Sequence, residues 1–532
     1  MNTGFYCLFY RPSRLLSGSL AMACLLTASV WAHAADTVRR GLGPEPDSLN
    51  IHQAQGLTAI NLLRDLREGL VTFNAAGELV PGVASAWEIS DRGTRYRFTL
   101  RPDARWSNGD PVTADEFVRA WQLALTPESP AVTAGLLANV KNASAVLNAD
   151  LPVSELGITA LGDKQLEILL EKPAPWLLEI LAHPVSYPLH HSLGATVQED
   201  PVNGAFRLGE WTPRSAIRLE RNPEYHSVDS VALETVEYFP IEEPSTELAR
   251  YRAGELDITE TIPAGRFEWL QENLAPDLRI NAYLGSYWLG LNLQHDELGR
   301  SAELRQALAL AIDRGTLVRV VLGAGELQGW GVVPPGIPGY EVQQMGLASA
   351  SQAEREIAAR QLYARAGFGL NRPLRLELRY NTSGLHRRIA VTVAAMWKQV
   401  LGVNTELINE EWKVFVNNRR MGTVTEVFRG GWIADYADPA SFLDLFITGS
   451  ELNTTFYSDS TFDQLMEQAG NQRGEARMAI LQQAEARLLE TMPVIPLYYY
   501  VSRHLVRPEI RGYEDNSRDI HLSRYLFREA GQ

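Results

Sequence analysis

Residues 428–439 read FRGGWIADYADP, and the rest of the chain is organised around this stretch. Arg429 precedes the pair Gly430-Gly431, which lets the backbone turn sharply or come close to another chain. Asp435 follows, between Trp432 and Tyr436. An acid in an apolar, aromatic frame is costly unless a cation or several donors meet it. Two readings stand: an internal Arg429–Asp435 pair or turn cap, and a site whose missing cation is the ammonium group of a ligand.

At 532 residues the chain exceeds what one core organises, so two or three domains are expected. A composition of 45% hydrophobic and 21% charged residues is that of an ordinary globular protein. The formal net charge of −15 speaks against nucleic acid or an anionic membrane as the main partner, since both reward a basic surface.

The N-terminus reads as a signal peptide over residues 1–35. Arg11 and Arg14 form a basic region, residues 15–31 are apolar, and Ala32-His33-Ala34 precedes a cleavage site before or after Ala35. Cys24 offers a lipidation alternative, but it sits midway along the apolar run. Both cysteines, Cys7 and Cys24, fall in this leader, so no disulfide, thiolate metal site or cysteine nucleophile is expected beyond it. No later stretch holds about 18 consecutive apolar residues, so no membrane span is expected. The predicted location is the bacterial periplasm.

Strand-like and helical patterns alternate along the remainder, which predicts an α/β fold with two main lobes. Ile60, Leu63, Leu66 and Leu70 recur at helical spacing up to Gly69-Leu70. Residues 96–106 alternate as a strand, and Thr113 with Glu116 forms a capping box for the helix that follows. Residues 158–175 suggest a strand pair. Prolines 173, 175, 184 and 188 cluster with His183, His190 and His191, as in a crossover between lobes. Residues 301–314 predict one helix capped by Ser301. Residues 385–402 predict another, ended by Gly402, with Ile389, Val393, Trp397 and Val400 on one face. The strand that delivers FRGGWIADYADP comes next, and residues 491–508 form an apolar strand returning to the first lobe.

No constellation for catalysis emerges. There is no G-x-S-x-G elbow, no H-E-x-x-H, no phosphate loop and no calcium-loop spacing. Adjacent histidines seldom ligate one ion from a rigid element, so His190-His191 is expected on a surface loop. Neither metal nor cofactor is predicted, and the chain is read as a non-enzyme. What remains is a set of cations near the acidic stretch. Arg419 and Arg420 end a helix, Arg429 follows, and His386 lies in a first helical turn. Each has a bland reading as a solvated or helix-capping group. Together with one acid they suit a zwitterion such as a free peptide.

In order, RDLREGL (64–70), PGVASAWE (81–88), DPVTADEFVRAW (110–121), NGAFRL (203–208), LERNPEY (219–225), YRAGELD (251–257), LRQALALAIDR (304–314), YNTSGLHRR (380–388), GWIADYADPASF (431–442) and VIPLYYYV (494–501) complete a pattern. The chain resembles the family-5 extracellular solute-binding proteins of ABC importers, and among them the peptide binders. The resemblance implies the type II binding-protein fold, hinged around a ligand cleft. Lobe I would comprise residues 36–67, 191–284 and 503–532, lobe II the inserted residues 68–190, and lobe III residues 285–502. It implies that Asp435 receives a peptide ammonium, and that Arg429, Arg419 and His386 meet the terminal carboxylate. Trp397 and Trp432 would wall the pocket, and Gln55 would stand where those relatives carry a pocket glutamate. A cysteine pair of the family would fall at Gly285 and Ile433, where this chain has none. The implied partners are a short peptide and an inner-membrane ABC permease, with the protein a monomer. A murein peptide or another small solute such as a nickel complex is the alternative ligand. A secreted hydrolase is the alternative class.

Overall fold

The computed structural model describes residues 37–54, 56–192, 199–263, 265–422, 425–434, 436–450 and 452–529. The leader, Gln55 and Asp435 lie outside the described residues.

Three sheets organise the chain. The first has four strands in the order Thr37–Gly43, Thr235–Pro240, Ala216–Arg221, Phe206–Thr212, with only the first pair parallel. The second is antiparallel, in the order Ala84–Ser90, Arg95–Leu100, Gln165–Leu169, Ile158–Gly162. One continuous core joins these two sheets, from Val38 and Ile217 on the first to Phe98 and Trp121 beside the second. The third sheet is mixed and six-stranded, in the order Leu327–Gln328, Val494–Leu505, Leu278–Leu291, Val427–Ile433, Arg375–Asn381, Asn404–Glu410. Helices cover both its faces. Leu289 packs with Leu308, Val393 and Trp397 on one side, and Trp288 with Phe446 and Phe462 on the other.

Local chemistry explains most element ends. The Thr113 amide donates to Glu116 at 3.0 Å, closing the predicted capping box of Ala114–Ala124. Gly402 ends Gly384–Leu401 at φ +77°, where its N–H bonds the Lys398 carbonyl. Three elements are shorter than predicted. The first helix spans Leu57–Leu66, and Gly69 lies beyond it against the Tyr187 ring. The strand expected over 96–106 ends at Leu100. The helix expected over 301–314 stops at Leu310, because Asp313 caps a second helix by accepting from the Thr316 amide.

Two long strands, Leu278–Leu291 and Val494–Leu505, tie the third sheet to the first lobe. Leu278 pairs with Leu505, whose carbonyl accepts from Thr259, and Gly290 pairs with Val494 at the far end. Their ladder is interrupted between the pairs Ala282–Val501 and Ser286–Tyr499. Gly285 sits in that interruption opposite Ile433 of the neighbouring strand, with the Tyr500 ring where its Cβ would be.

Candidate functional site

FRGGW is not a turn: it is the interior of the strand Val427–Ile433, flanked by Leu278–Leu291 and Arg375–Asn381. Its glycines make room for aromatic rings on the partner strand. Gly430 lies opposite Trp288, and a Cβ there would stand 2.3 Å from the Trp288 Nε1; Gly290 likewise lies opposite Phe428. Period-two alternation then sends Arg429 to one face and Phe428 and Trp432 to the other.

On the first face, the Arg429 guanidinium lies over the Tyr287 ring, 5.2 Å from its centroid. Tyr287 stacks on Tyr498 at 4.8 Å, and Tyr498 meets Tyr500 edge-on. The Tyr287 hydroxyl is 3.3 Å from Nδ1 of His386, whose helix Ser383 caps. Burial, then the charge of Arg429, pull the His386 imidazole down to about 4, so it is neutral near pH 7. Arg419, at the end of Trp412–Met421, lies on the Phe428 side of the strand, over Phe415 and Phe428, and is lowered to about 10, by burial and then by Arg429. Nε of both arginines is buried without a hydrogen-bond partner. Among the described residues no carboxylate pairs with either. Arg429 beside a neutral histidine, with the second, partly buried and mutually repelling guanidinium of Arg419 on the other side of the strand, makes this region a receiver for an anion.

On the opposite face, Trp288, Arg419, Trp432, Phe446 and Thr454 surround a side pocket of about 320 Å³. Trp432 is half-buried and reaches Ser441 at 3.3 Å. Trp397 is corrected: it is fully buried, its indole N–H donates to the Leu308 carbonyl, and it offers no surface to a ligand. A helical stripe of large apolar residues marks a core face and a pocket wall alike. His190 is a second correction, being buried rather than on a surface loop, with Nε2 3.0 Å from Asp110.

Beyond Ile433 the chain enters a cleft of about 630 Å³ between the lobes. Leu57, Val132 and Ile433 all line it and are about half exposed (59%, 51% and 49%). Large apolar side chains left open in a groove mark a surface awaiting a ligand. Trp176 stacks on Tyr436 across this region at 5.4 Å. Asp438 of the stretch accepts from Arg477, with Nη2 2.9 Å from Oδ1, whereas the expected Arg429–Asp435 pair lies outside the described residues. Motif reading passed over Asp438, Trp176 and the tyrosines. Only the run Tyr498-Tyr499-Tyr500 carries a local signal for the last group.

Comparison with known proteins agrees with this geometry. The profile of the bacterial extracellular solute-binding proteins, family 5 Middle, matches residues 78–454. The periplasmic oligopeptide-binding protein OppA of Escherichia coli is 34% identical over 510 residues, covering 94% of this chain and 93% of OppA. The unliganded open form of MppA, a periplasmic murein tripeptide-binding protein, superposes with a TM-score of 0.87 at 33% identity, covering 93% of this chain and 97% of MppA. Haemophilus influenzae OppA in complex with RPPGFSPFR gives 0.71 at 32% identity, covering 93% and 99%. At nearly equal identity, the chain superposes better on the unliganded open form than on the peptide complex. The fold is the α/β type II binding-protein fold, and the chain belongs to the bacterial extracellular solute-binding proteins of family 5.

Proposed function

We propose that this chain captures short peptides in the periplasm and delivers them to an ABC permease in the inner membrane, as a monomer without catalytic activity. The observation that carries this reading is the pair Arg419 and Arg429, unmatched by any carboxylate among the described residues, with Arg429 next to His386. A free peptide supplies the complementary carboxylate. Its ammonium falls to Asp435, whose role rests on the family pattern. The apolar cleft supports binding of varied side chains, and the extended chain would pair with lobe backbone as an added strand. The relatives that bind oligopeptides or murein tripeptide support the same class. Among the described residues no helix is long and apolar enough to cross a membrane.

Titration calorimetry with di- to pentapeptides tests the reading. Free peptides are expected to bind and their N-acetylated forms to bind far more weakly. Asp435→Asn should cost about 2–5 kcal/mol, the range for removing one partner of a buried charge pair. Equal binding of blocked and free peptides would point to another solute class. A murein peptide is the second reading, favoured because Arg419 borders the side pocket and gives an additional anion receiver. Native mass spectrometry of the purified protein, weighing what it retains, separates the two.

A further inference from the structure

The segment 513–521 touches all three lobes. Arg518 pairs with Glu179, the Ser517 hydroxyl donates to the Gly336 carbonyl at 2.8 Å, and the Leu284 amide donates to the Ser517 carbonyl at 3.0 Å. At its end Asp519 has φ +56°, a left-handed conformation uncommon for a residue with a Cβ. This backbone directs the Asp519 carboxylate between two histidines. Oδ1 lies 2.8 Å from Nε2 of His504 and 3.1 Å from Nε2 of His521.

The His504 ring is oriented from behind. Nδ1 lies 2.9 Å from the Thr259 carbonyl and donates there, which leaves Nε2 as the nitrogen that faces the Asp519 oxygen. A ring nitrogen held by a backbone carbonyl while the other faces a carboxylate is the outer-partner arrangement of metal-ligating histidine. His521 is 7% exposed at its side chain, and its Nδ1 has no partner. Tyr513 stacks on His521 at 3.8 Å, and its hydroxyl is also unpartnered. These groups border a cavity of about 20 Å³, room for one water-sized species, which Glu260 and Arg40 complete. Nη1 of Arg40 donates to Tyr238, Ser523 and the His521 carbonyl, its Nε has no partner, and Arg64 lines the same cavity.

We propose that His504, His521 and Asp519 bind one divalent transition-metal ion, with Glu260 facing the fourth position. Their donor atoms lie within 4.8 Å of one another. Two imidazoles and a carboxylate suit Zn²⁺, whose bonds to such donors run about 2.0–2.2 Å, rather than Mg²⁺ or Ca²⁺, which take oxygen. His504 ends the strand that joins the lobes, and Asp519 lies in the segment that contacts all three. Occupancy therefore ties the metal to the arrangement of the lobes.

The test uses the full chain, stripped with a chelator and titrated with Zn²⁺ in a calorimeter. Wild type is expected to bind one equivalent, and His521→Gln to weaken binding by roughly 100-fold or more. His191→Gln, which disables the separate Asp110–His190–His191 cluster, should leave this binding intact. Absence of stoichiometric binding, or its retention in His521→Gln, overturns the proposal. On the unmutated protein, imidazole resonances of His504 and His521 should shift with one equivalent of Zn²⁺. A shift confined to His191 overturns it as well, whatever the variants do.

Discussion

Arg429 is the residue on which most of the chemistry turns. Removing it takes away the proposed charge-assisted contact to the ligand and also a partly buried cation that has no carboxylate partner among the described residues. Arg429→Gln is therefore expected to weaken peptide binding by about 1.5–3 kcal/mol while leaving thermal stability unchanged or higher. Calorimetry and a thermal melt on the same preparation check both halves. His386 yields a second expectation. Burial and Arg429 hold it near 4, and a bound carboxylate offsets Arg429, so binding should raise that value and take up a proton below about pH 6. Affinity should then increase as pH falls from 7 toward 5. Titrations at pH 5 in buffers of different ionisation enthalpy measure the uptake, and identical heats would refute it. Glu68 acts on stability instead. Burial alone would raise its carboxyl, but hydrogen bonds from His226 and Tyr225 and the charge of Arg524 hold it at about 2. With the folded value below the unfolded one, its contribution is present above about pH 4.5 and is lost as pH falls through 2. By linkage it is worth about 3 kcal/mol at neutral pH. In Glu68→Gln, urea midpoints should drop at pH 7 and show a shallower acid limb between pH 4.5 and 2.

At the scale of elements, the glycines of FRGGW make the site possible. Gly430→Ala would drive a Cβ into the Trp288 indole and should destabilise by about 1–3 kcal/mol, the usual cost of overpacking. Urea denaturation followed by tryptophan fluorescence reports both the loss and the displaced ring. Much of this level was legible in advance. The capping box at Thr113 and the left-handed Gly402 depend on short-range hydrogen bonds that sequence spacing records. The split near Asp313 was not, because a capping aspartate inside a helical pattern competes with propagation and only tertiary packing decides. Trp397 was misassigned because its place in the pocket wall came from the family resemblance, whereas the stripe of Ile389, Val393, Trp397 and Val400 marks the helix face that the core buries. The charge of Arg429 and Arg419 was readable, whereas which described carboxylates stand near them depends on residues far away in the chain.

Across the whole molecule, the ten sequence blocks carried the fold because their order along the chain matches one family pattern. Sheet order and the continuous core of the first two sheets rest on long-range pairings that no local pattern encodes. The open arrangement leaves apolar residues of different lobes facing one cleft. Peptide binding is expected to lower the radius of gyration in solution scattering, and the Trp176–Tyr436 stack should report the same step as a change in tryptophan emission. An unchanged radius with saturating peptide would contradict closure around the ligand. Gly285 and Ile433 face each other as strand partners, with the Tyr500 ring covering Gly285. Where the family pattern has a covalent staple, this chain has a tyrosine packed over a glycine. Its maturation therefore needs no oxidant: synthesis in a reducing cytosol should yield the same molecule, and dithiothreitol should leave its melting temperature where it was.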